Sequence, residues 1–398
     1  RAVMVERGPS MPTVLRHAGW MRRALPGRQT RFGFPRGCSC WRVATALVIL
    51  LACAGCGDRA PIHERVHEFS GTTMGTVYKV KVLLPDPAGM DLTALQHLIE
   101  AELEGVNAAM STYLPDSELS RFNTHASTTP FPVSAATLDV FRLALEISER
   151  TNGAFDITVG PLVNAWGFGP GDVPENPLSD NEIQALKEHV GYQKVTIDPV
   201  ASTVRKDDPA LYCDLSAIAK GYGVDRVCAA LENAGFHDYM VEVGGEVRTG
   251  GLNGEGAPWR IGVVRPDALL GDVETVVPMS GWSMATSGDY RNFYERNGVR
   301  YSHEIDPHTG RPISHNLASA SVIHKECAVA DGYATALMVM GPEEALHWAN
   351  ENDMAAFFIV RTADGHFRDI ATKAFEQFMA QAGESRSSSG QPSPERRE

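Results

Sequence analysis

The chain has no Walker-type glycine-rich P-loop and no Gly-x-Gly-x-x-Gly at a strand–helix junction. It therefore encodes neither that mononucleotide cradle nor a Rossmann dinucleotide site. A Gly-x-Ser-x-Gly nucleophile elbow is missing too. No His/Cys cluster has zinc spacing: His303 and His308 are five apart, but in a Pro/Gly turn and not on a helix. Cysteine is scarce, with seven in 398 residues. Cys38, Cys40, Cys53 and Cys56 crowd the N-terminal region. Cys213, Cys228 and Cys327 stand apart in apolar contexts, as small core residues and not a disulfide framework. Beyond residue 56 positive charge is also short. Residues 1–56 hold nine Lys+Arg and one acidic residue, which leaves 27 basic and 48 acidic residues, a net of −21. That balance excludes a nucleic-acid footprint. It does not exclude a phosphate-bearing ligand held with a cation. No internal repeat is present.

The basic N-terminus reads as an export signal. Arg42 precedes an uncharged run, Val43 to Gly57, too short for a membrane span of ~20 residues but suited to a signal-peptide h-region. Met21 is a candidate start. The run closes on Leu-Leu-Ala-Cys53 and Ala-Gly-Cys56, which resemble bacterial lipoprotein processing sites, so Cys53 or Cys56 is the expected lipidated residue. The expected organisation is a signal/lipoprotein segment over 1–56, a linker over 57–68, a catalytic domain over 69–382 and a disordered tail over 383–398. The tail is set by its Ser-, Pro- and charge-rich composition.

Along the domain, Thr76 onward alternates as a strand, with Gly71 and Gly75 bracketing Met74 in a loop. Asp91–Met110 and Ser134–Thr151 carry helical apolar spacing. Ser111–Asn123 reads as a polar, aromatic binding loop. Asp156 sits among apolar neighbours, where a carboxylate must find a donor or ligand. Asp214–Asp225 (DLSAIAKGYGVD) opens a helix, with Asp214 or Ser216 as cap. Gly221 and Gly223 inside it each cost about 1 kcal/mol relative to Ala, so something should approach closely there. Tyr239–Arg248 is a buried strand interrupted by Gly244-Gly245. A helix near Ala328–Met340 places Asp331 and Thr335 on one face. Strands and helices mix without a βαβ rhythm. The expected class is α+β, with mixed or antiparallel sheets, flanking helices and two sub-domains forming a cleft.

What chemistry remains is oxygen chemistry. Asp331, Thr335, Asp214 and Asp156 are hard donors of the kind that suit Mg²⁺ completed by a substrate phosphate. Among thirteen histidines, His303 is best placed as a general base, in a rigid turn ahead of Asp306-Pro307.

Taken together, the segments resemble the ApbE-like family of FAD:protein FMN transferases. The likeness is carried, in order, by Gly-Thr-Thr-Met74-Gly-Thr, Ser-Thr-Tyr113 with Ser-Glu-Leu-Ser-Arg-Phe-Asn123, Gly-Ala-Phe-Asp156, the Asp214–Asp225 segment, Val243-Gly-Gly-Glu246, Ala285-Thr-Ser-Gly-Asp-Tyr290, His303-x-Ile-Asp-Pro-x-Thr-Gly-x-Pro312 and Ala330-Asp331-x-x-Ala-Thr335-Ala. The resemblance implies that FAD binds in the cleft. FMN then passes with Mg²⁺ to a threonine or serine hydroxyl of a partner flavoprotein subunit, and AMP is released. It assigns Met74, Tyr113, Ala154, Phe155, Asp156, Asp214, Lys220 and Ile305 to FAD. Mg²⁺ falls to the Ala217 and Ala334 carbonyls with Asp331 and Thr335, and His303 to the hydroxyl proton. Implied partners are flavin-acceptor subunits of membrane redox complexes. The implied location is the bacterial cell envelope, lipid-anchored to the inner membrane and facing the periplasm. An FAD pyrophosphatase and a non-enzymatic FAD-binding lipoprotein are the alternative readings.

Overall fold

The computed structural model describes residues 66–84, 89–266, 273–290 and 292–388, with side chains as far as Ala382. The expected signal segment 1–56 with Cys53 and Cys56, the linker up to residue 65 and the last ten tail residues lie outside the described residues. Ala60–Glu398 form one compact unit.

Its frame is an eight-stranded sheet whose strands neighbour one another in chain order. They are β1 (Val66–Thr73), β2 (Thr76–Leu83), β3 (Tyr239–Val243), β4 (Glu246–Gly250), β5 (Ser283–Gly288), β6 (Leu317–His324), β7 (Ala355–Arg361) and β8 (Phe367–Ala371). Every neighbouring pair is antiparallel. With helices set on this sheet, the class is α+β, as the mixing of strands and helices without a βαβ rhythm predicts.

Four long excursions interrupt the sheet. Between β2 and β3 come α1 (Leu92–Met110), a short helix Glu118–Thr124, α2 (Ala135–Arg150), a small three-stranded sheet and α3 (Ser216–Asn233). Between β4 and β5 comes the hairpin Trp259–Val264/Val273–Met279. Between β5 and β6 come two small hairpins, Phe293–Arg296/Val299–Ser302 and Ile305–Asp306/Arg311–Pro312. After β6 follow α4 (Cys327–Met340) and α5 (Pro342–Glu351), and after β8 comes α6 (Lys373–Ser388).

α1 shows why the sequence folds as it does. Asp91 caps it by accepting from the Ala94 N–H at 3.0 Å. Leu95, Ile99, Leu103 and Val106 recur at helical spacing and are buried. On one face of the sheet, α1 and α3 cover Tyr78, Val80, Val82, Val241 and Val243. The hairpin Trp259–Met279 and Phe375 of α6 cover the other face, over Val247, Met284 and Ile359. β6 is covered on both sides, so it is buried from Leu317 to Ile323 without alternation, Ser319 and Ser321 included.

Several local expectations change. β1 begins at Val66, inside the region whose polar composition suggests a linker, because its backbone pairs with β2 over its whole length. The Met74 loop is a two-residue hairpin turn with φ of +48° at Met74 and +69° at Gly75, the mirror-image geometry that strand twist favours. Ser111–Asn123 is half helix, capped by Ser117. The cap position of α3 is Leu215, with no side-chain cap bond. Asp214 instead accepts from the Ser216 N–H at 2.8 Å and hydroxyl at 2.6 Å. α6 runs on to Ser388, past Gly383.

The two α3 glycines also find their neighbours. A Cβ on Gly221 would lie 2.7 Å from the Cys327 carbonyl carbon and 2.8 Å from Ala328 Cα, while one on Gly223 would lie 2.9 Å from Met74 Cε. They let α4 and the β1–β2 turn pack against α3. The close approach is protein on protein.

Candidate functional site

β4 and β5 pair only at Ser283↔Arg248 and Met284↔Val247. Beyond those pairs the strands part, and a cleft of about 1320 Å³ opens in the fork. Gly244, Gly245 and Glu246 line one side of it and Thr286, Ser287 and Gly288 the other. The volume exceeds the ~300–1,000 Å³ typical of small-molecule sites, which suits a dinucleotide.

The excursions bring the sequence-predicted residues to this one cleft. Met74 arrives on the β1–β2 turn, and Tyr113 on the segment after α1. Ala154, Phe155 and Asp156 follow α2, and Asp214, Ala217 and Lys220 stand at or before the first turns of α3. His303 and Ile305 come from the excursion after β5, Asp331 and Thr335 from α4. Ala334 does not line the cleft. Its side chain is fully buried in the core beneath α4.

The chain holds several of these residues by deliberate local bonds. Asp156 has both oxygens engaged: Oδ1 accepts from the Thr158 N–H (2.8 Å) and hydroxyl (2.7 Å), and Oδ2 from the Tyr192 N–H (2.9 Å). Burial raises its carboxyl above the ordinary range, and the Thr158 bonds oppose that. The donors it needed are thus supplied by the chain itself. Asp214 is anchored by its own N–H to the Ile157 carbonyl at 2.7 Å. Its neighbour Cys213 is clamped by Asn123, which donates to the Cys213 carbonyl and accepts from its N–H, both at 2.8 Å. Asn123 therefore serves the backbone and not the cleft.

His303 is fixed in tautomer. Its Nδ1 lies 3.0 Å from the Asn292 carbonyl, which can only accept, so Nδ1 carries the proton and Nε2 offers the lone pair. Nε2 stands 3.6 Å from Glu304 Oε1. The following turn is tied to the first excursion. Trp166 Nε1 donates to the Gly310 carbonyl at 2.9 Å and His308 Nε2 to the Asn152 carbonyl at 2.9 Å, and Arg311 pairs with Asp180. The wall carrying His303 and Ile305 is thereby locked to the wall carrying Asp156. Four rings, Phe168, Tyr294, Tyr301 and Trp166, stack at centroid spacings of 5.3, 5.1 and 5.7 Å behind it.

At the floor, Lys220 Nζ donates to Glu246 Oε1 at 2.8 Å and stands 3.5 Å from Asp331 Oδ1, while the Gly221 N–H donates to Asp331 Oδ2 at 2.9 Å. Burial pushes the Glu246 carboxyl up to about 7, against the pull of Lys220. Burial also raises Asp331 and Glu304. It works against the Lys220 charge as well, but Asp331 and Glu246 beside it more than compensate. Ser287 and Thr335 hydroxyls meet at 3.1 Å.

Among the described residues no three His, Cys, Asp or Glu side chains converge as a metal cluster. The donors nevertheless fit a hard divalent cation. They are all oxygen: the buried carboxylates of Glu246 and Asp331 share Lys220, Glu304 is buried beside them in the cleft lining, and Glu246 Oε2 is buried without a partner. Glu304, Glu246, Ser287 and Phe168 escape the sequence reading as site residues. Glu246 and Ser287 lie inside recognisable motifs, whereas Glu304 and Phe168 carry no local signal.

Comparison with known proteins agrees with this arrangement. The ApbE family model matches residues 74–358. The FAD:protein FMN transferase of Vibrio cholerae is 47% identical over 340 residues, covering 85% of this chain and 99% of the relative. That of Escherichia coli K12 is 39% identical, covering 83% of this chain and 97% of the relative. The crystal structure of the flavin transferase ApbE from Vibrio cholerae superposes with a TM-score of 0.73 over 79% of this chain and 99% of that one, at 47% identity. Pseudomonas stutzeri flavinyl transferase ApbE in its apo form gives 0.72 at 39% identity, over 79% of this chain and 96% of that one.

Proposed function

The chain belongs to the ApbE family, and from that premise we propose that it is a Mg²⁺-dependent FAD:protein FMN transferase. It moves FMN from FAD to a threonine or serine hydroxyl of a partner flavoprotein subunit and releases AMP. The observation that carries this reading is the convergence of His303, Asp214, Lys220, Asp331 and Thr335 on one cleft in the fork of the sheet.

In the reaction the acceptor oxygen attacks the FMN-side phosphorus. The bond from that phosphorus to the bridging oxygen breaks, AMP departs with the bridging oxygen, and the hydroxyl proton passes to His303 Nε2. Phosphoryl transfer of this kind depends on positioning and charge neutralisation. Met74, Tyr113, Phe155 and Ile305 offer apolar and aromatic surface to the flavin, while Asp156 and Asp214 sit as fixed acceptors. Lys220 brings positive charge to the pyrophosphate. Asp331, the Thr335 hydroxyl and the Ala217 carbonyl would hold Mg²⁺, which when bound neutralises developing charge on the phosphates.

The acceptors are flavin-carrying subunits of membrane redox complexes, met at the periplasmic face of the inner membrane by an enzyme anchored through lipid on Cys53 or Cys56. Support for that location is the basic, then uncharged, then small-residue-and-cysteine order of the N-terminus. The test mixes purified protein, FAD, Mg²⁺ and a candidate acceptor domain and reads the acceptor by intact mass. A covalent FMN increment with stoichiometric AMP is expected. AMP without the increment would identify water as the nucleophile, and neither product would leave FAD binding alone.

A further inference from the structure

Asp225 does not line the cleft, yet it touches each of the elements that carry the charged floor. Its Oδ1 accepts from the Cys327 N–H at 3.0 Å and its Oδ2 from the Ala328 N–H at 2.9 Å. These are the first two N–H groups of α4, whose own cap residue, Glu326, makes no side-chain cap bond. The same Oδ1 receives Arg248 Nη1 of β4 at 2.6 Å. One carboxylate on α3 thus caps α4 and is tied to β4. Lys220 lies five residues before Asp225 on α3. Asp331 stands in the second turn of α4. Glu246 lies two residues before Arg248 on β4, on the same face. Gly221, lacking a Cβ, lets the start of α4 come close enough for the cap to reach.

We propose that Asp225 is a positioning residue for the reaction: by capping α4 from α3 and holding Arg248 of β4, it sets where Asp331 and Glu246 stand around Lys220. This inference rests on the flavin-transferase reading. Without Asp225 the first turn of α4 has no side-chain acceptor and Arg248 no partner carboxylate. The spacing across the Lys220–Glu246–Asp331 triangle is then free to relax.

The test uses the full chain in detergent and measures FAD affinity by flavin fluorescence, with and without Mg²⁺. Asp225→Asn preserves volume but turns one acceptor oxygen into a donor facing an N–H. The expected result is FAD binding weakened about tenfold or more in Mg²⁺, the scale on which supporting partners of a cation site act. Pairing with Asp331→Asn gives a double-mutant cycle, in which the double variant binds FAD in Mg²⁺ no more weakly than Asp331→Asn alone, because Asp225 acts by placing that carboxylate. A merely structural role would lower the thermal midpoint and leave the affinity of the folded protein, in both conditions, at the wild-type value. That result, or full additivity in the cycle, overturns the proposal. Should Asp225→Asn not fold, Arg248→Gln, which keeps the cap but unties β4, carries the same test with a smaller shift in the same direction. A wild-type protein that binds no FAD would overturn the flavin reading itself.

Discussion

His303 can work only through Nε2, because the Asn292 carbonyl holds the proton on Nδ1. His303→Ala is expected to keep FAD binding and lose flavin transfer, read by covalent incorporation into an acceptor. Undiminished transfer would remove the base assignment. Asp331→Ala, which takes away the carboxylate facing Lys220, is expected to abolish the Mg²⁺-dependent part of turnover, and an unchanged Mg²⁺ titration would dissociate Asp331 from the cation. Glu246 gives a pH prediction. Its carboxyl rises from an ordinary 4.5 to about 7 in the fold, through burial, so the folded chain binds a proton that the unfolded chain has released. Stability from this group is therefore present below about pH 4.5 and lost as pH rises towards and through about 7. The thermal midpoint of metal-free wild type should fall across that window relative to Glu246→Gln. Parallel curves for the two proteins would sink the idea.

At the scale of elements, the α3–α4 contact decides the fate of substitutions that propensity alone gets wrong. Gly221→Ala gains about 1 kcal/mol of helix propensity. Its Cβ, however, would meet the fixed backbone of Cys327 and Ala328 inside 3 Å, an overpacking cost of about 1–3 kcal/mol or more. Net destabilisation is expected in a denaturant titration. Gly105 of α1 is the control: it is exposed, and nothing lies within 4 Å of its Cβ position. Gly105→Ala should stabilise by about 0.4–1 kcal/mol. If both substitutions shift the midpoint in the same direction, the packing explanation fails. Helices α1 to α3 were each legible from their apolar spacing, as were most strands from their patterning, whereas α4 is buried nearly all round and shows no stripe. What stayed hidden was β1 from Val66, whose polar residues pair with β2, and the helix Glu118–Thr124 within an apparent loop. Short elements make too few local interactions to announce themselves, and their stability comes from neighbours distant in sequence.

For the whole molecule, the charge division is the feature with consequences: a basic N-terminus and a body of net −21. The envelope location proposed above predicts that cells fed a labelled fatty acid incorporate it into this protein. Incorporation should be lost in one of Cys53→Ser and Cys56→Ser and kept in the other. Label in neither wild type nor variants would argue for a different anchor. The sheet is the other whole-molecule feature. Its strands follow chain order, so each excursion leaves and returns at the same place, and the parting of β4 and β5 gives these excursions a common space to line.

The sequence alone determined the α+β class, the main helices and a set of residues that the fold brings to one cleft, among them Met74, Asp156, Asp214, Lys220, His303, Asp331 and Thr335, because each motif combines a local backbone signal with a side chain of definite chemistry. Only the tertiary structure decided how these residues are used. It turned Asn123 to a backbone clamp and satisfied Asp156 from Thr158 and Tyr192. Gly221 was given to α4 and not to a ligand. Asp225 was made the cap of a helix that begins 102 residues later. Hydrogen bonds and close packing act over a few ångströms, so their partners are fixed by which segments meet in space, and spacing along the chain carries no record of that.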